Sequence, residues 1–589
     1  MPQHRCRGFR LRYVLVLLCL AFGRARPAMA LPPLFKFERP ARYAVTGIPD
    51  VRNVLDYGAD PGGIADSAAG INAATAQAEA AGGGIVFLPC GTYLIKRAIL
   101  LGDNVTLQGS GPCTVLRRDT TVSGEPTYST SCVRIGDEMQ RAAIRNSKKD
   151  CGNVGIAIRD LVVDGSLITA LPCTSCAAGP TNPSVMLVLA AVDDLLVDRV
   201  TVRNAPQDGI YLKNGGGRTV VRATTLDGFN MHWGNGSGIN VEMRTTANKP
   251  GYPEFVDNYI VAKGPQFCDA DLSVACGKDA DCPSGACGNG AGAAAVNGIS
   301  LTFADAAGTH PAGIIARNRM ELSDRHTGIS CSGCAGVVIG DNWMTSHDSG
   351  TLLSKVFLGI QVVGSSGKSF SDVIVHDNVI LGADVANDRR GILVDDSSSG
   401  SARVVVHHNI VRNKALAARQ EAITVRGVAD GVVDGNIAQN VTGQHGIGIG
   451  STSTTTADVR ISGNEISDVT AANADCVVLR GTRRAVLEGN TFRGCSRGIE
   501  LESGTIAGTV VGRNAYASVT TPLKLTVTDA TLGLFDPLGL SYTRATLPAA
   551  VVGSTVRCTD CTSAAPCASP GTGRTAHRDN EAAPQWSCD

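Results

Sequence analysis

The chain has 589 residues, 43% of them hydrophobic and 18% charged, with 53 basic side chains against 53 acidic ones. That composition excludes a disordered chain, and the length exceeds what one compact core supports, so a repeating architecture or several domains are required. Sixty-nine glycines and only 4% aromatic residues suit many tight turns better than a bulky core.

Residues 1–30 read as a signal peptide cleaved after Ala30. Arg5, Arg7, Arg10 and Arg12 precede the apolar run YVLVLLCLAFG (13–23), and AMA (28–30) supplies the small residues of a cleavage site. That run is too short to span a bilayer and no later segment is long enough, so the expectation is a secreted or extracytoplasmic protein without stable membrane insertion. Removing the leader leaves 47 basic against 53 acidic residues, which argues against nucleic acid as a partner. Eighteen of the 20 cysteines remain, including the pairs Cys173/Cys176, Cys331/Cys334 and Cys558/Cys561. At an oxidising address these are expected to be disulfides rather than zinc ligands.

After a lead segment (31–50), residues 51–115 read as an N-terminal cap and first rungs. Within them DSAAGINAATAQAEAAGGG (66–84) predicts a helix with Asp66 or Ser67 at its N-cap and a glycine stop. From 116 to 545 two phrases recur. One is Gly-Ile: DGIYL (208–212), SGINV (237–241), NGISL (297–301), TGIS (327–330), LGIQV (358–362), RGILV (390–394), HGIGI (445–449) and RGIEL (497–501), with EAITV (421–425) keeping the register. The other carries Asn258, Asn318, Asn342, Asn378, Asn409, Asn436, Asn464, Asn490 and Asn514, most at spacings between 22 and 36 residues. Period-2 strands and turns at that period leave no room for helical repeats and fall short of a propeller blade. The remaining solution is all-β: a right-handed parallel β-helix with a short capping helix. Asn tolerates left-handed turns, and its amide both donates and accepts, so the asparagines are expected to stack as a ladder.

The spacing doubles between Asn258 and Asn318, where CDADLSVACGKDADCPSGAC (268–287) lies inside a Cys-rich insertion at about 264–295. It lacks the fixed Gly and final Glu of an EF-hand loop and reads as a disulfide-stapled insertion. Residues 546–589, with Cys558, Cys561, Cys567 and Cys588, read as a disulfide-rich C-terminal cap.

VRNVLDYGADPGGIADSAAGINAATAQAEAAGGGIVFLPCGTYLI (51–95), with NVTLQGSG (104–111), resembles the N-terminal segment of the pectate-lyase-like superfamily, the rhamnogalacturonase and epimerase-like β-helix proteins. The resemblance implies the β-helix fold and a polysaccharide partner, with a reaction drawn from hydrolysis, elimination or epimerisation, or none. Of the polygalacturonase pattern, QHGIGIGS (444–451) supplies the Gly-His-Gly-like piece with His445, and VLRG (478–481) is a poor version of the last piece. EAITVRG (421–427) stands where the paired aspartates belong, Asp395-Asp396 lies a rung early, and the Asp-Pro-His-Asp motif of alginate epimerases is missing.

Candidate chemistry concentrates in 208–244, which holds Asp208, Lys213, His232, Glu242 and Arg244 as catalytic candidates and Tyr211, Trp233 and Asn240 as sugar contacts. Two carboxylates suit glycoside hydrolysis. A Lys, Arg or His base beside a uronate suits β-elimination, where calcium would be the cation; no other cofactor and no protein metal site is expected. The plainer reading makes Asp208 a turn residue and makes Glu242 with Lys213 or Arg244, and Asp395 with Arg426, rung-to-rung ion pairs. His407-His408, ending the strand RVVV, reads as a turn rather than a metal site. The expectation is a polysaccharide hydrolase or lyase on a uronate-containing polymer, against a non-catalytic carbohydrate-binding or structural β-helix protein. Nothing in the repeats sets an oligomeric state.

Overall fold

The computed structural model describes residues 50–588 apart from 120–141, 149–151, 169–184, 230–235, 244–250, 263–265, 269–270, 277–295, 304–311, 324–325, 348–357, 365–369, 383–389, 397–401, 415–419, 543–553 and 579–585. Shorter stretches at 452, 454, 505, 528–530, 536–539, 564–565 and 572 are also outside it. The leader expected at 1–30 and the pair Cys173/Cys176 therefore lie outside the described residues.

One coil shows how the sequence makes the fold. Ser371–His376 turns Val373 and Val375 inward, wholly buried. Asp377 adopts the left-handed conformation at φ 52°, and Asn378 completes the corner. Val379–Leu381 buries Ile380, and Ile392–Asp395 closes the coil with Ile392 and Val394 inside. Each strand pairs in parallel with its equivalents one coil away, as His376 does with His407 and Ile392 with Ile423. Among the described residues, a major sheet of 31 strands forms two sides and a minor sheet of 14 strands the third. This is a right-handed parallel β-helix around one continuous apolar core.

The nine asparagines stack at one corner. From Asn258 to Asn514 each side-chain Nδ2 donates to the Oδ1 of the Asn one coil on, at 2.9–3.0 Å. The same oxygen accepts the backbone N–H of the Asn before it, at 2.9–3.1 Å. The ladder crosses the Cys-rich insertion unbroken, because Tyr259 pairs directly with Arg319 and the extra residues leave the coil after its second side. Of that insertion, Gln266–Cys268 and Asp271–Cys276 form an antiparallel hairpin outside both sheets; the rest is not described.

Among the described residues a single α-helix, Ala68–Ala80, packs Ile71, Ala74 and Ala78 over the first coils. Ser67 occupies the N-cap position, but Asp66 makes the capping bond, accepting the Ala68 N–H at 3.1 Å; Gly83 N–H closes the far end on the Ala78 carbonyl. Cys331–Cys334 and Cys558–Cys561 are disulfides, as are Cys90–Cys113, Cys476–Cys495 and Cys567–Cys588. Two of them staple a small four-stranded sheet at the C-terminus. Among the described residues no helix is long and apolar enough to cross a membrane.

Candidate functional site

Because inward and outward residues alternate along the minor sheet, its outer side displays columns with one residue per coil. One column runs Tyr211, Asn240, Ser300, Ser330, Gln361, Leu393, Thr424. Beside it run Lys213, Glu242, Thr302, Ser332, Val363, Asp395 and Arg426. A third column stands two residues before the buried Ile (Val477 in one coil) of each strand: Asp208, Ser237, Asn297, Thr327, Leu358, Arg390, Glu421, His445, Asp475 and Arg497.

At the N-terminal end the columns gather five of the eight residues singled out from the sequence. Asp208, only 4% exposed, accepts the Ser237 N–H at 2.5 Å and the Asn240 amide at 3.3 Å. Tyr211 donates its hydroxyl to Glu242 at 2.8 Å, and Lys213 lies level with Glu242 on the neighbouring strand. Asp208 thus reaches across to the next coil, while Glu242 accepts a phenol hydroxyl from the coil before it. His232, Trp233 and Arg244 lie outside the described residues.

At the C-terminal end the third column becomes a chain of charge. Glu421 receives Arg390 Nε at 3.1 Å and Arg480 Nη1 at 2.6 Å, and Thr424 donates to it at 2.9 Å. Its side chain lies over Gly448, where any Cβ would collide with it, which explains that glycine. Arg480 also donates to His445 Nε2 at 2.9 Å, and His445 Nδ1 lies 2.6 Å from Asp475. Arg497 lies 2.6 Å from Asp475 and 3.0 Å from Glu500, which Lys524 and Thr526 also hold. Burial pushes the Glu421 carboxyl up, but the Arg390 and Arg480 guanidinium groups outweigh it and hold the pKa below the ordinary value. For Asp475 burial wins over His445 and Arg497, and its pKa is raised. Two buried carboxylates on either side of one histidine are thus pushed in opposite directions, the pattern that separates a proton holder from an ionised partner.

Sequence reasoning found His445 and the VLRG piece but not their neighbours. Part of the signal was present: the residue two before the recurring Ile varies from coil to coil while the Ile does not. The pair Asp395–Arg426, expected from the sequence, forms at 2.6 Å. Among the described residues, two groups bring three possible metal ligands within 4.8 Å: Cys558, Cys561 and Cys588, whose sulfurs are disulfide-bonded, and Asp377, His407 and His408 on the major sheet.

Residues 51–259 match the family model described as rhamnogalacturonase A/epimerase, pectate lyase-like. Over that segment, about a third of its length, the chain is similar to the pectate-lyase-like superfamily. Residues 359–516 match a second model, described as periplasmic copper-binding protein (NosD). Mannuronan C5-epimerase AlgE4 of Azotobacter vinelandii is 36% identical over 108 residues, which is 17% of this chain and 19% of that protein. The match therefore spans about a fifth of the curated relative's length. Among solved structures, the family 28 exopolygalacturonase of Yersinia enterocolitica aligns with 82% of this chain and 79% of its own at 14% identity, with a TM-score of 0.45. PfbA, a surface adhesin of Streptococcus pneumoniae, aligns with 79% and 92% at 13% identity, with a TM-score of 0.40.

Proposed function

We propose that this pectate-lyase-like chain is an exported protein that holds a uronate-bearing polysaccharide along the outer side of the minor sheet and cleaves it by acid–base chemistry. The observation that carries this reading is the third column, which from Asp208 to Arg497 sets a hydrogen-bonding or ionisable side chain on successive coils, with Leu358 its sole apolar member. The family match over 51–259 and the epimerase relative support a uronate polymer as the class of substrate. In this proposal Asp208 and Glu242 are the carboxylates that act, with His232, Lys213 and Arg244 as bases or uronate contacts. Tyr211, Asn240 and Trp233 hold the sugar. Calcium, expected only for an elimination, does not suit the charged end: Glu421, Asp475 and Glu500 are already engaged by Arg or Lys, whereas calcium takes six or more oxygens.

That same pairing favours the second reading, a non-catalytic binder whose charged column is structural. The deciding experiment incubates the mature chain with polygalacturonate, alginate and neutral polysaccharides, with and without calcium. Reducing ends and the absorbance of unsaturated products are followed together, with proton NMR of the uronate residues to register C5 inversion. Reducing ends alone, lost in Glu242→Gln and Asp208→Asn, establish hydrolysis; both signals establish a lyase; inversion alone establishes an epimerase. Silence in all three, with retention on one polymer, makes the chain a binder.

A further inference from the structure

On the other side of the molecule, the corner before the asparagine ladder carries an unusual run of imidazoles. His376, His407 and Asp434 occupy one register position on three successive coils. Asp377 and His408 follow them in the left-handed conformation, at φ 52° and 54°, which swings both side chains outward ahead of Asn378 and Asn409. The rings of His376 and His407 stack at 5.3 Å with an interplanar angle of 13°. His407 Nδ1 faces His408 Nδ1 at 3.1 Å, and Asp377 Oδ1 lies 4.0 Å from that same nitrogen.

We propose that Asp377, His407 and His408 bind one divalent transition-metal ion, of the kind that takes imidazole nitrogen, across two coils on the outer corner of the major sheet. Geometry comes first. A tetrahedral ion with bonds of about 2.0–2.1 Å holds its ligands roughly 3.3 Å apart. The two Nδ1 atoms already stand at 3.1 Å, and the Asp377 oxygen closes its gap by a rotation of under about 1 Å. His376 Nδ1 sits 2.8 Å from the other oxygen of Asp377, the outer-shell bond that typically orients a ligating carboxylate.

The coils on either side make room. A Cβ at Gly340 would collide with the His376 ring, and one at Gly435 would collide with the His408 ring, so glycine stands where each imidazole lies. His408 and Asp377 are 58% and 46% exposed in their side chains, which leaves the fourth position of the ion to water. Two nitrogens and one oxygen favour zinc or copper over calcium or magnesium, which prefer oxygen alone.

The test uses the untagged full chain, stripped with EDTA and dialysed, titrated calorimetrically with zinc chloride, copper chloride and calcium chloride. One equivalent of zinc or copper is expected to bind and to raise the unfolding temperature, with calcium silent. Electron paramagnetic resonance of the copper-loaded chain is expected to show hyperfine coupling to two nitrogens. His408→Ala and His407→Gln should each weaken binding at least 100-fold, and His376→Ala about 10-fold, while circular dichroism of the metal-free variants is unchanged. Binding no tighter than calcium, or tight binding that survives both His408→Ala and His407→Gln, overturns the proposal.

Discussion

The asparagine corner and the third column of the minor sheet solve the same stacking problem with opposite chemistry. At the corner every coil contributes the same neutral group, which donates to the next coil and accepts from the last. No position is special, and any number of coils can be added. In the column neighbouring coils contribute different groups, and the order Arg390, Glu421, His445, Asp475, Arg497 sets complementary partners against one another, with Arg480 bridging Glu421 and His445. Identity along the axis marks scaffold; ordered difference along the axis marks a place where the sequence is constrained by something beyond stacking.

Interrupting the ladder should have the largest effect. Asn436→Ala leaves the buried Asn409 backbone N–H without its acceptor and the Val406 carbonyl without its side-chain donor, and removes the amide bonds to Asn409 and Asn464, which keep other partners. At about 1–3 kcal/mol for each group left unsatisfied, partly relieved by water, a loss of about 4–6 kcal/mol is expected as a shift in urea midpoint. An effect under about 1 kcal/mol would mean that the amides are spectators. Glu421→Gln is expected to cost less, about 2–4 kcal/mol, because it leaves Arg390 and Arg480 facing an amide but keeps a hydrogen-bond acceptor in place.

This contrast explains what could be read from the sequence. The nine asparagines and the Gly-Ile phrases announced the coil because each repeats one residue type at one corner. The capping helix was legible from its glycine stop, although the capping bond went to Asp66 while Ser67 turned to the Asp60 carbonyl. Glu421 and Asp475 were not legible as partners: 54 residues separate them, and nothing in a spacing says that a glutamate, a histidine and an aspartate share a register position. His376 and His407-His408 were hidden likewise, since the doublet reads as a turn until the coil one rung earlier is stacked on it.

The pH dependence sharpens the comparison at the next level down. Glu421 has a depressed folded pKa, so its stabilisation is present above the unfolded value near 4.3 and is lost as pH falls through the folded value. The deficit of Glu421→Gln should therefore shrink as denaturation is followed from pH 7 down to about 3. Asp475 has the opposite sign. Its folded pKa is raised, so ionisation becomes a penalty as pH rises above the unfolded value near 3.9. Asp475→Asn should gain on the wild type over that rise. A pair of curves with the same slope would show that the two carboxylates share one environment.

The smallest effect belongs to ion pairs on the outside of the major sheet, which link coils without burial. Arg317 forks onto Asp257 at 2.7 and 2.9 Å, just outside the asparagine ladder, with both side chains about half exposed. Its geometry is as good as that of Arg480 on Glu421, so a difference in effect must come from solvent. Water and salt screen the exposed pair, and holding two long side chains still offsets most of what remains. Arg317→Ala should cost about 0–1 kcal/mol, and less in 1 M salt, while the Glu421→Gln deficit hardly moves with salt. Should the two deficits respond equally to salt, burial would not be what separates the charged column from the surface, and its ordered sequence would need another cause.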